Sequence, residues 1–126
     1  MKRLALFLPA LALSLPATAQ EIPAMTPEQT MQLRCAAAFA IVAGDQARGD
    51  PAALAYPALA ARGREYFVQV GAQLMDALHL TREQLSERVQ AEVAVQRHAK
   101  AASADPKAYT DSVLQPCVAG LEASGL

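Results

Sequence analysis

Two cysteines, Cys35 and Cys117, are the residues with the most readily interpreted chemistry in this chain. A redox-active thiol pair would favour C-x-x-C, and a metal site needs more ligands grouped together, whereas these two thiols lie far apart. In a chain of 126 residues that folds in an oxidising compartment, two cysteines predict one intramolecular disulfide. The bond would join the two ends of the fold and stabilise it by about 4 kcal/mol in the chain-entropy description.

A second set of side chains has the chemistry to bind an anion if two predicted helices bring it together. Arginine forks and an ammonium on one surface suit a carboxylate or a phosphate, and a nearby glutamate would orient a histidine. The alternative interpretation is a solvated face of surface ion pairs, each worth about 0 to 1 kcal/mol. The six residues are Arg62, Arg64, Glu65, Arg97, His98 and Lys100.

The other reactive residue types predict no catalytic residue, no metal site and no cofactor. His79 and His98 would lie about 25 Å apart along a helix, so they cannot share one ion. No serine stands in a nucleophile elbow, and we expect the carboxylates of Glu83 and Glu87 to lie on an exposed helix face. The formal net charge of −1 argues against nucleic-acid binding. We therefore expect a protein that is not an enzyme.

The start of the chain has the pattern of a cleaved signal peptide, residues 1–19. Lys2 and Arg3 form a basic start, the run Leu4 to Leu15 is apolar, and Ala17 to Ala19 form an A-x-A cleavage site. About 12 apolar residues reach only about 18 Å, too short to span a bilayer as an uncleaved anchor. We expect a soluble periplasmic or secreted product, a single domain of residues 20–126, with no membrane span after cleavage.

Helix signals recur through the rest of the chain, and no run of alternating β-branched residues predicts a strand. We expect an all-α bundle of four to five helices, with the disulfide joining the first and last. The last helical region should be kinked or restarted at Pro116. The helix starts are predicted at Thr26-Pro27, Asp50-Pro51, after Tyr56-Pro57, at Thr81-Arg82 and at Asp105-Pro106.

Helical spacing also predicts which side chains face the core. In the first helix, Met31 recurs with Cys35 and Phe39 on one apolar stripe. In the helix that ends near Leu78, Phe67 belongs to the inward stripe, and Gly71 in mid-helix indicates the close approach of a neighbouring helix.

Only a short turn separates the two long helices that end near Leu78 and begin after Thr81. So short a connection predicts a central antiparallel hairpin. The expected register sets Phe67 near Val93 and Gly71 near Val89. It would also bring the two halves of the basic set together.

Three segments resemble small exported helical proteins of Gram-negative bacteria, a group with no assigned activity. They are RCAAAFAIVAGDQARGD from Arg34, PALAARGREYFVQVGAQLMD from Pro57 and PCVAGLEASGL from Pro116. In architecture the chain is also loosely similar to periplasmic acid-stress chaperones of the HdeA type, which are small, helical and held by one disulfide. The resemblance implies an exported helical fold and supplies no catalytic residue.

The sequence thus predicts an envelope protein that acts by binding another protein. Its support is an exported scaffold without catalytic, metal or nucleic-acid motifs, together with helices whose small residues could admit a partner. Two alternatives stay open. One is a binder of a small anionic ligand at the basic set; the other is a self-associating, structural or chaperone-like protein, the oligomeric state being undetermined by sequence.

Overall fold

The structure, a computed structural model, describes residues 22–126, and in that range it contains five helices and no strand. This confirms the all-α prediction and the predicted number of helices. The predicted signal peptide, residues 1–19, lies outside the described residues. The helices are α1 Pro27–Ala47, α2 Pro51–Leu54, α3 Ala60–Leu78, α4 Arg82–Ala102 and α5 Pro106–Ala123.

Four of the five helix starts in residues 22–126 carry the side-chain caps that the sequence predicts, and α3 starts without one. Thr26 accepts a hydrogen bond from the amide of Gln29, and the Gln29 side chain accepts one from the amide of Thr26. Thr81 and Gln84 form the same reciprocal pair before α4. Asp105 caps α5 by accepting from the third residue of that helix. Each cap satisfies amides that have no partner inside the helix.

Helix α1 is the element on which the others pack. It runs antiparallel to α3, since Gln32 of α1 donates to Gln73 of α3 over 3.3 Å and Phe39 lies against Gly63 nearer the start of α3. On the α4 side, the amide of Gln96 donates to the main-chain carbonyl of Arg34 over 2.9 Å. Both α3 and α4 pack more extensively on α1 than on each other.

The predicted disulfide joins α1 to α5, the first and last helices. Cys35 and Cys117 form the bond with a sequence separation of 82. Both cysteines are buried in one apolar cluster with Phe39, Leu114 and Leu121. A second apolar cluster lies under the turn between α3 and α4. The disulfide therefore lies within the core and not at its edge.

Helices α3 and α4 form the predicted antiparallel hairpin, but the predicted register is wrong by about one helical turn. A Cβ atom at Gly71 would lie 3.1 Å from Cδ2 of Leu85, not beside Val89. Phe67 accordingly borders a cavity with Val89 and not with Val93. The register differs because α1 packs against both helices, so they approach each other closely only near their shared turn.

Two residues predicted to face the core are instead partly exposed to solvent. Met31 is 46% exposed and Phe67 is 36% exposed. Helix α5 runs antiparallel to α1, since Cys35 is bonded to Cys117 and Asp45, near the end of α1, lines a pocket with Pro106 at the start of α5. Met31 therefore lies level with the last turn of α5, close to the end of that helix at Ala123. Phe67 lies where α3 and α4 diverge. At Pro116, α5 continues as one helix, and no new helix starts there.

Two glycines provide a matched test of how closely α1 and α3 pack. A Cβ at Gly63 would lie 3.0 Å from the Phe39 Cβ, whereas one at Gly120 in α5 would meet nothing within 4 Å. We expect Gly120→Ala to stabilise the protein by about 0.5 to 1 kcal/mol, because alanine is the better helix former. Gly63→Ala should destabilise it by about 1 kcal/mol net, because overpacking outweighs that gain. Urea unfolding of both variants checks the opposite signs; equal effects would contradict the close packing.

Candidate functional site

The six residues predicted to bind an anion are distributed over several local environments. Arg62 is half-buried, and its Nε donates to the main-chain oxygen of Leu126 over 2.9 Å. Its Nη2 donates to the same oxygen. This guanidinium is therefore committed to holding the end of the described chain against α3.

Arg97 and Lys100 do lie together, beside a surface pocket of about 340 Å³ that Ile41 and Asp45 also line. Lys100 Nζ is 3.9 Å from the carboxylate of Asp45. Asp45 also pairs with Arg48. A carboxylate at the pocket offsets part of the positive field that an anionic ligand would need.

Glu65 and His98 are exposed, and within residues 22–126 neither takes part in an ion pair or a side-chain hydrogen bond. The predicted orientation of His98 by Glu65 is therefore absent from the described contacts. Ligand binding by the six residues stays a prediction, but the structure does not gather them around one cavity. Arg64 lines a different one.

That cavity is an apolar groove of about 320 Å³ on the surface of α1, between α3 and the first half of α4. Its floor includes Phe39 and Leu59, both 1% exposed. Arg64 and the exposed edge of Phe67 lie on the α3 side, and Val89 lies on the α4 side. The remaining lining residues are small: Ala36, Ala40, Ala43, Ala60 and Gly63. We call this surface the apolar groove.

The groove follows from the spacing of small residues on α1 and α3. Ala36, Ala40 and Ala43 recur at helical spacing, so they form one face of α1. Ala60 and Gly63 do the same on the facing side of α3. Because α3 and α4 diverge from their turn, no long side chain fills the gap, and Ala40 stays exposed.

The residues that line the groove include no acid, base or nucleophile that could take part in catalysis. Its lining is apolar apart from the guanidinium of Arg64, which is always charged and cannot exchange a proton near neutral pH. Sequence reasoning identifies Arg64 but misses the groove. The usable signal is the row of alanines at 36, 40 and 43, which helical spacing alone assigns to core packing.

A second polar feature joins the segment that follows α2 to α5. The Tyr56 hydroxyl donates to Asp111 over 2.5 Å, and Lys107 Nζ donates to the other oxygen of that carboxylate over 2.7 Å. The bonds from Lys107 and Tyr56 hold the pKa of Asp111 below its ordinary value. Burial and the adjacent carboxylate of Asp111 raise the pKa of Tyr56 to about 12. We call this arrangement the Tyr56 clasp.

Tyr56→Phe should alter the dependence of stability on pH at both extremes. In the wild type, the lowered pKa of Asp111 contributes stability that is lost as pH falls below the ordinary value of 3.8. The raised pKa of Tyr56 contributes stability that is complete below pH 10.0 and lost as pH rises towards about 12. The variant should show a shallower acid loss and lack the alkaline one.

Denaturant unfolding across pH, together with tyrosinate absorbance, measures these effects. The tyrosine that ionises at the highest pH in the wild type should be absent from the titration of the variant. Tyr109→Phe serves as the control, because Tyr109 lies in α5 and takes no part in the clasp. An unchanged alkaline profile in Tyr56→Phe would contradict the role given to the clasp.

Within residues 22–126, no group of three histidine, cysteine, aspartate or glutamate side chains is arranged to hold a metal ion. In the same range, every helix is too short or too polar to cross a membrane. No family model, no curated protein and no solved structure matches this chain. The apolar groove, with Arg64 on its border, is the candidate site that the geometry supports best.

Proposed function

We propose that this protein is an exported, non-enzymatic binding protein of the cell envelope, and that the apolar groove takes up an apolar segment of a partner protein. The observation that carries the proposal is the groove itself. It is an open depression of about 320 Å³ with one charged side chain in its lining. Apolar pockets of this kind are where proteins gain binding energy from burial.

The exposure of residues that line the groove favours a role in binding a partner over a role in packing the protein's own core. Phe67 presents 36% of its surface to solvent although it borders an apolar depression. Aromatic side chains in this setting are typical of the residues that dominate binding energy at interfaces. Covering Phe67 and the alanines would remove apolar surface from water without requiring the helices to move.

The disulfide supports the proposed compartment. Cys35 and Cys117 are paired within the core, and such bonds form and persist in oxidising compartments. Together with the signal pattern in residues 1–19, this favours the periplasm or the extracellular medium. Binding to another envelope protein is the function that best combines this location with the groove.

Photo-crosslinking in intact cells tests the proposal. We would place p-benzoylphenylalanine at Phe67, and at Ala91 on the exposed surface of α4 as the control position. The expected result is a discrete protein adduct from position 67 only. Introducing Ala40→Leu beside the position-67 probe fills the groove and should reduce the adduct about tenfold, the effect of a 1.4 kcal/mol clash.

Ala40→Leu is suited to this purpose because position 40 is exposed and leucine is a good helix former. Its fold is checked by circular dichroism and by the urea midpoint, with Ala91→Leu as the matched control. Equal adducts from positions 67 and 91, or an adduct that persists in Ala40→Leu, would overturn the proposal.

A further inference from the structure

We propose that the segment held in the apolar groove is an α-helix carrying a carboxylate that pairs with Arg64. This inference rests on the proposed function and adds the chemistry of the partner. The proposed occupant is an acidic helix of a partner protein. Finding an extended peptide, a second copy of this chain or a basic helix in the groove would contradict the proposal.

The walls of the groove favour a helix over an extended segment. They belong to α1, α3 and α4, and apart from the first amides of α3 around Ala60 the main-chain amides and carbonyls there are bonded within each helix. The groove therefore offers no strand edge to which an extended peptide could add. An extended segment would carry unpaired amides into an apolar surface, whereas a helix brings its own hydrogen bonds with it.

The dimensions of the groove also match a helix. Its α1 face runs from Ala36 to Ala43 and its α3 face from Ala60 to Phe67. At 1.5 Å per residue, each face is about 10 Å long, which corresponds to about two helical turns. A guest helix would place apolar side chains at positions i, i+4 and i+7 along it. The small residues of both faces let the guest approach closely.

The charge of the groove is carried by one side chain. Arg64 is exposed and is the only charged residue in the lining. Arg62, two residues earlier, is already bound to the main-chain oxygen of Leu126. A guanidinium pairs with a carboxylate through two parallel hydrogen bonds, so an acidic residue on the guest fits this border and a basic one is repelled.

A displayed library of helices tests this chemistry with a probe of defined shape and variable side chains. The probe is a stable helical scaffold with five randomised positions at i, i+3, i+4, i+7 and i+8. It is selected on the intact wild-type protein and counterselected on Ala40→Leu. We expect groove-dependent clones with apolar residues at three positions and aspartate or glutamate at one, enriched about fivefold, the ratio that about 1 kcal/mol of ion pairing produces.

The same selection on Arg64→Glu supplies the charge-reversal test. The enriched acidic position should change to lysine or arginine while the apolar positions persist. Clones that bind wild type and Arg64→Glu equally would overturn the role of the carboxylate. Linear extended peptides that displace the selected helices from the groove would contradict the proposal that the guest is helical. If the wild type forms a dimer and the Ala40→Leu variant is a monomer, the occupant of the groove is a second copy of the chain and the proposal fails.

These outcomes separate the inference from the function on which it rests. A crosslinked partner that needs the open groove but binds Arg64→Glu unchanged would leave the proposed function intact and remove the acidic helix. The absence of any groove-dependent adduct in cells would instead remove the function itself.

Discussion

Loss of the Cys35–Cys117 disulfide is expected to lower the free energy of unfolding by about 4.5 kcal/mol. The bond spans a sequence separation of 82, and closing a loop of that size removes about this much chain entropy from the unfolded state. Both sulfur atoms also lie in the core, at residues 3% and 1% exposed. For a small domain, the expected loss is a large part of its total stability.

Guanidinium unfolding of the oxidised wild type, the reduced wild type and the Cys35→Ala/Cys117→Ala double variant measures this effect. The reduced wild type retains the two side-chain volumes, so it isolates the crosslink from the change in packing. It should lose most of the 4.5 kcal/mol, and the double variant about 1 kcal/mol more because alanine leaves space in the core. A reduced protein as stable as the oxidised one would contradict the argument.

The disulfide also bears on the groove, because Cys35 is adjacent to Ala36 in the groove floor. The bond fixes α1 against α5 on a face of α1 that lies about 100° around the helix axis from Ala36. Loss of the bond should therefore loosen the surface that we propose a guest helix contacts. We expect weaker binding by the reduced protein even where it remains folded.

Local signals predicted the helices and the disulfide well. The caps at Thr26 and Thr81 each depend on a residue only three positions further along the chain. The local sequence is therefore enough to predict where these helices begin. The pairing of Cys35 with Cys117 follows from there being only two cysteines in the chain. Neither prediction depends on how the helices pack in three dimensions.

The hairpin register and the anion site could not be predicted in the same way. Both predictions depend on α3 and α4 packing against each other along their whole length, which the short turn between them favours. In the structure, α3 and α4 pack mainly on α1 and not on each other. Gly71 therefore lies opposite Leu85, and Arg64 and Arg97 line different cavities. The choice of α1 as the central helix depends on long-range packing of many small side chains, which no spacing rule on one helix reveals.

The small side chains that make the packing hard to predict from the sequence also produce the groove. Alanines at the centre of a bundle let helices approach closely, but an alanine row facing a gap cannot fill it. Ala40 is left exposed for this reason. A small-residue core is therefore consistent with an open binding surface on the same helix.

Gln46 is the polar residue whose loss should have the largest effect on the groove end formed by Leu59. Its Nε2 donates to the carbonyls of Ala53, Tyr56 and Pro57 over 3.1, 3.2 and 2.9 Å. Its Oε1 accepts from the amide of Leu59 over 3.1 Å. One side chain of α1 thus holds α2 and the loop that leads into α3.

Gln46→Met is expected to lower the free energy of unfolding by about 3 kcal/mol. The side chain keeps a similar length but leaves an amide and three carbonyls without their partner, each worth about 1 kcal/mol, with water replacing part of the loss. Gln32→Met is the matched control on the same helix, because Gln32 makes one exposed bond to Gln73. That variant should change stability by less than about 0.5 kcal/mol.

Gln46→Glu separates the loss of the donor from the change of shape. Its carboxylate still accepts from the Leu59 amide but repels the three carbonyl oxygens, so it should destabilise more than methionine at neutral pH. Protonation restores a donor, so the gap to wild type should narrow as pH falls. Hydrogen exchange should show the Leu59 amide exposed in Gln46→Met but still protected in Gln46→Glu, which keeps the acceptor. Leu33, in the other half of α1, should stay protected in both variants. Equal protection of Leu59 in wild type and Gln46→Met would show that the loop is held by something other than Gln46.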